Sequence, residues 1–168
     1  MGILSLLSAT LAATIPVDTQ KFPHVVRQTN ATALCTPGAT IPSLYTFSNL
    51  RVVYAAGASS IPSSASFTIT NNLTNSTEPL SCTLRIGYQC QFNGTPKNPA
   101  LQVWLQLNLA AYFSFLETTT CPAGKTTTVT GAAEMWFTCP DTPIENGQTC
   151  VGDLESVKAP GGVDATAP

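Results

Sequence analysis

The chain carries a single histidine, His24, and six cysteines, Cys35, Cys82, Cys90, Cys121, Cys139 and Cys150. General acid–base catalysis needs groups that titrate near the working pH, and histidine is the commonest of them. His24 precedes every clearly periodic segment, so neither a Ser-His-Asp nor a Cys-His arrangement is expected. Zinc held by histidines is excluded on the same count. A cysteine-only zinc knuckle wants Cys-x-x-Cys pairs, and the closest cysteines, Cys82 and Cys90, are far wider than that. A copper site built on a terminal histidine would require cleavage immediately before His24. The carboxylates Glu78, Glu117, Glu134, Asp141, Glu145, Asp153 and Glu155 show no spacing that selects an acid–base pair, and they read as solvated surface acids. There is no G-x-S-x-G and no Gly-rich phosphate loop. A non-enzyme without metal or cofactor is the expectation.

Aromatic residues offer more. Leu101, Val103, Leu105, Leu107 and Leu109 alternate with Gln102, Trp104, Gln106 and Asn108. On a strand that pattern sets Trp104 among amides on the polar face, where it would be a sugar platform, a partner anchor, or buried in an interface or second layer. Trp136, in Glu134-Met135-Trp136-Phe137, reads as plain core.

Only 10% of the residues are charged and 43% are hydrophobic, with net charge −2. Soluble domains carry about a quarter charged residues. Thr, Ser, Asn and Gln fill the gap, as suits an exported β protein. No basic patch invites nucleic acid or an anionic membrane. The apolar run Ile3 to Ala13 is too short to span a bilayer and ends in small residues before Pro16. It reads as a signal segment, 1–13, cleaved between Ala12 and Thr14. Four sequons, at Asn30, Asn72, Asn75 and Asn93, fit the same route, and the last three fall in expected turns. An even count of cysteines in an exported chain favours three disulfides.

Residues 14–34 read as an arm or pro-segment, 35–157 as one β domain, and 158–168 as a disordered tail. Within the domain, Tyr45 and Phe47 share one face while Leu50, Val52 and Tyr54 take the next register, so a bulge is expected near Ser48-Asn49. Ala65, Phe67 and Ile69 alternate with polar partners. Leu80, Cys82, Leu84, Ile86, Tyr88 and Cys90 fall on every second residue, a long strand. Asn93-Gly94 and Pro96 mark a turn. The stretch 101–109 is a strand, and 110–117 fits either strand or helix. Thr126–Thr130 and Ala133–Cys139 suggest a hairpin turning near Gly131, and Gln148–Val157 a last strand. The fold class is all-β, an antiparallel β-sandwich or β-barrel of seven to eight strands, disulfide-stapled.

Tyr45-Thr46-Phe47-Ser48-Asn49-Leu50, then Ser66-Phe67-Thr68-Ile69-Thr70-Asn71, then Cys82 and Cys90 around Tyr88, then Cys139 and Cys150, give a layout that resembles the Alternaria major-allergen family of small fungal secreted proteins. The resemblance runs from about Cys35 to Val157. It implies a compact β-barrel outside the cell, acting as an allergen or engaging plant defence. It also implies the pairs Cys139–Cys150 and Cys82–Cys90, leaving Cys35–Cys121 by elimination. In that family an early cysteine serves dimerisation; here Cys121 gives Cys35 a partner within the chain. The second pair conflicts with the long strand, because Cys82 and Cys90 on one straight strand would lie about 26 Å apart. Either the chain folds back near Gly87, or both cysteines bridge elsewhere, most simply to Cys35 and Cys121.

The expected function is therefore a non-catalytic secreted fungal protein, effector- or allergen-like, binding a host extracellular protein, with a homodimer as a candidate assembly. The alternative is a cell-wall carbohydrate-binding module that uses Trp104 on a cell-wall glycan.

Overall fold

Alternation of apolar and polar side chains decides which face each strand buries, and the faces close into one barrel. The computed structural model describes residues 31–57, 62–84 and 88–164. The expected signal segment and cleavage site, His24, Asn30, Gly87 and residues 165–168 lie outside the described residues. A one-turn helix, α1 (Ala31–Leu34), precedes β1 (Thr40–Tyr54), β2 (Ser64–Asn71), β3 (Ser76–Thr83), β4 (Gln89–Asn93), β5 (Leu101–Leu107), β6 (Ala111–Thr120), β7 (Thr126–Met135), β8 (Phe137–Thr138), β9 (Gln148–Gly152) and β10 (Ser156–Asp164). The sheet runs β3-β2-β1-β10-β7-β6-β5-β4, every pair antiparallel, with β9 pairing both β1 and β8. This is a nearly closed antiparallel β-barrel of 8 strands held by three disulfides.

The core is aromatic. Phe113 stacks on Phe47 at 4.4 Å between centroids and meets the edge of Phe67 at 5.0 Å, while Tyr45 meets Phe115 at 4.8 Å. Each such pair adds about 0.5–1.5 kcal/mol to its burial. The bulge expected near Ser48-Asn49 is present: the β1–β2 register shifts between Ser48 and Arg51, and Asn49 takes φ 55°. There β1 exchanges one neighbour for another, pairing β10 up to Ser48 and β9 from Arg51.

Several expectations are corrected. The long strand over Leu80–Cys90 is two strands, β3 and β4, at opposite ends of the sheet path. Period two persists because both bury alternate residues against the same core. Gly131 is no turn; β7 runs straight through it. A Cβ there would lie 1.9 Å from the Pro160 carbonyl oxygen and 2.6 Å from the Phe115 ring, so the glycine marks close packing. The last strand, Gln148–Val157, is likewise two, β9 and β10. Residues 158–164, read as tail, belong to β10, a central strand between β1 and β7. Ala159, Gly161 and Val163 are its buried alternation, and a Cβ on Gly161 would meet Leu44 at 2.6 Å. Small residues look like a tail but are what this crowded seat admits. The ambiguous 110–117 is strand. The arm's described end, α1, is held by Thr127 Oγ1 donating to the Leu34 carbonyl at 2.8 Å.

The bridges are Cys35–Cys121, Cys82–Cys90 and Cys139–Cys150, with Cα separations of 5.6, 6.1 and 4.1 Å. These are the pairs the resemblance implies together with the remaining one, and the split of the long strand removes the 26 Å conflict. All six cysteines are paired within the chain, so no thiol is left for an intermolecular bridge.

Candidate functional site

The barrel has a seam. β3 and β4 end the sheet path and share no hydrogen-bonded ladder among the described residues. Cys82–Cys90 joins them near one end. Toward the other, the segment after β4 is clamped to β3 by a carboxylate: Thr95 Oγ1 donates to Glu78 Oε1, the Lys97 amide donates to Glu78 Oε2 at 3.0 Å, and Lys97 Nζ donates to the Thr77 carbonyl. A second carboxylate holds the same segment to the core. Asn98 Nδ2 donates to Glu117 Oε1 at 2.6 Å, and the Tyr45 hydroxyl donates to Glu117 Oε2 at 2.8 Å.

Glu78 and Glu117 are only 6% and 7% exposed, which corrects their reading as surface acids. Both fall on the inward phase of their strands, Glu117 with Phe113 and Phe115 and Glu78 with Leu80. They line one small cavity of about 150 Å³ with Tyr45 and Asn98. All four carboxylate oxygens accept hydrogen bonds from the protein, so what the arrangement does is fasten a loop across the seam. Burial first, and then the Glu117 carboxylate, push the Tyr45 phenol well above its ordinary pKa. It stays a hydrogen-bond donor.

The larger feature lies on the outer face of β4, β5 and β6. Antiparallel register sets Gln91 opposite Trp104 and Trp104 opposite Ser114, while Gln89, Gln106 and Tyr112 form the next row. These side chains, with Asn93 and the Cys82–Cys90 bridge, line an open groove of about 820 Å³. That lies within the ~300–1,000 Å³ usual for ligand clefts. Trp104 is half-buried and Tyr112 is 43% exposed. Among the described residues, no charged side chain lines the groove. It can stack a flat apolar face on the indole and exchange hydrogen bonds with neutral hydroxyls or amides.

The expected placement of Trp104 on the polar face thus agrees with the structure. Tyr112 was hidden by the helix-or-strand ambiguity of 110–117; its phase opposite Phe113 and Phe115 is the signal that finds it. Trp136, expected in the core, is instead 55% exposed where β7 passes into β8, because the inward position is taken by Met135. Among the sequons, Asn75 and Asn93 are exposed. Asn72 Nδ2 donates to Thr46 Oγ1 at 2.8 Å and to the Ser43 carbonyl at 3.1 Å. Among the described residues, no three of His, Cys, Asp and Glu gather as a metal-binding group.

Fold and site together define a class: a small disulfide-stapled β-barrel with an open, amide-lined aromatic groove on its outer face. Two crystal structures of the Alternaria alternata major allergen Alt a 1 share this fold, with TM-scores of 0.51 and 0.52 at 10% identity. They cover 73% and 76% of this chain and 95% and 93% of their own. No family model matches the sequence, and no curated protein matches it.

Proposed function

We propose that this chain is a secreted, non-catalytic fungal protein, effector- or allergen-like, that binds an extracellular partner through the outer groove around Trp104. The observation that carries the reading is the groove itself, an aromatic pair in an amide-lined cleft on the outer face of three paired strands. The allergen-like fold supports it. Three in-chain disulfides support an oxidising, extracellular setting. Both buried carboxylates are committed to holding a loop, which supports a binding role over a glycosidase role.

The lining also favours the second reading, a cell-wall glycan as the partner. Neutral sugars offer an apolar ring face for Trp104 and hydroxyls for Gln89, Gln91 and Gln106, whereas a protein partner would gain little from so polar a cleft. Retention on chitin, glucan and cellulose tests the glycan, and capture from plant apoplast tests a host protein. Trp104→Ala is expected to abolish binding while leaving the unfolding midpoint nearly unchanged. Undiminished binding by that variant would refute the groove, and a hydrolase or oxidase activity abolished by a point change would refute the non-catalytic reading.

A further inference from the structure

The groove carries a glycosylation sequon on its own lip. Asn93 opens the sequon Asn93-Gly94-Thr95, is exposed, and lines the groove beside Trp104. Because Gln91 sits opposite Trp104 and Asn93 opposite Gln102, Asn93 and Trp104 are diagonal neighbours across β4 and β5. Such neighbours lie about 7–8 Å apart, within reach of a long or aromatic group. Gln91 Nε2 donates to Asn93 Oδ1 at 2.6 Å, which orients the amide, and Asn93 Nδ2 has no hydrogen-bond partner among the described residues. Asn72 differs, since its nitrogen is used by the fold.

We propose that an N-linked glycan on Asn93 folds back onto Trp104 and occupies the groove, so that glycosylation of Asn93 governs how much of the groove an outside partner can reach. In the transfer, Asn93 Nδ2 releases one proton to solvent and bonds to the anomeric carbon of the first sugar. The bond from that carbon to the phosphate of a polyprenyl-pyrophosphate donor breaks, and the lipid pyrophosphate leaves. The first N-acetylhexosamine then has its apolar ring face over the indole, with Gln91, Gln106 and Ser114 placed for its acetamido and hydroxyl groups. Thr95, the third residue of the sequon, is buried with its hydroxyl held by Glu78, so the transfer precedes closure of the seam. The regulatory consequence rests on the function proposed above; the seating of the glycan does not.

The test uses the full chain secreted by a eukaryotic host, with Trp136→Phe so that Trp104 is the remaining tryptophan. Glycoprotein is compared with an Asn93→Gln variant and with glycoprotein whose glycans are released enzymatically after folding. Glycans elsewhere are common to the first two. Peptide mass mapping is expected to find Asn93 modified, and acrylamide to quench Trp104 less in the glycoprotein than in either other form. A short tether holds its group at an effective concentration of order millimolar. Binding of a chitin or glucan oligomer with a dissociation constant of that order is therefore expected to be roughly two- to tenfold weaker in the glycoprotein. An unmodified Asn93, or equal quenching in all three forms, would overturn the proposal. Shielding of Trp104 by the glycan, with no oligomer bound by Asn93→Gln, would uphold the seating and count against the glycan-binding function.

Discussion

Tyr45→Phe removes one oxygen from the middle of the seam clamp and is the sharpest probe of it. The lost hydroxyl donates to Glu117 at 2.8 Å and accepts from Asn71 Nδ2 at 3.2 Å, while the ring keeps its contact with Phe115. A hydrogen bond to a charged group contributes about 1.5–3 kcal/mol, and its loss leaves Glu117 one donor short in a buried site. The expected cost near pH 8 is about 2 kcal/mol, a fall of roughly 6–8 °C in melting temperature for a domain of this size. The pH dependence separates this account from simple loss of packing. In the native chain, burial and Glu117 raise the Tyr45 pKa. In the unfolded chain the phenol ionises near ~10. Below that pH both states hold the proton. Above it only the unfolded state releases it, so stability falls with rising pH by about 1.4 kcal/mol per unit. At pH 11 the native protein has then lost about 1.4 kcal/mol that the phenylalanine variant, lacking the group, has not. Tyr54 is also raised, by burial and then by Tyr88, but it is common to both proteins and cancels in their difference. Guanidinium unfolding of the pair at pH 8 and pH 11 should show their difference shrinking from about 2 to about 0.6 kcal/mol. A difference that stays constant, or one under 0.5 kcal/mol at pH 8, would refute the clamp as described.

Three further outcomes are expected. Gly131→Ala sets a Cβ against the Pro160 carbonyl and the Phe115 ring, and should cost about 3 kcal/mol or more in chemical unfolding. Glycopeptide mapping of protein exported by a eukaryotic host should find Asn75 occupied and Asn72 bare in the folded product, since a glycan on the Asn72 amide nitrogen would displace its hydrogen bonds to Ser43 and Thr46 and keep the chain from folding. Replacing both Cys35 and Cys121 by Ser opens a bridge spanning 86 residues and should cost up to about 4.6 kcal/mol by chain entropy; intact protein should show no disulfide-linked dimer on non-reducing gels.

Strand faces were legible wherever a clean alternation met a plain core. Tyr45 and Phe47 before the bulge, Leu50 and Val52 after it, and Leu101 to Leu107 all bury the faces their spacing requires. Period two identifies which side faces inward, and that side is a local property of the chain. Trp104 was placed correctly for the same reason. The buried Glu117 and Glu78 were also within reach, since each sits on the apolar phase of its strand; a carboxylate there must find donors inside. Period two, however, has no marker for where one strand stops and the next begins, so β3 and β4 looked like one. Glycine and small residues carry no such signal either. Gly131 and the Ala159-Pro160-Gly161-Gly162 run signal turns and tails in isolation, and only the close approach of β7, β10 and the Phe115 ring makes their lack of bulk a requirement. Tertiary structure likewise decided that the two sheet ends meet. That meeting sets Cys82 beside Cys90, draws the loop after β4 onto Glu78, and curves β4, β5 and β6 so that Trp104, Tyr112 and Asn93 share one groove. The bridge and the clamp are not fixed by neighbours in sequence, because the contacts that make them close the seam between the two ends of the sheet.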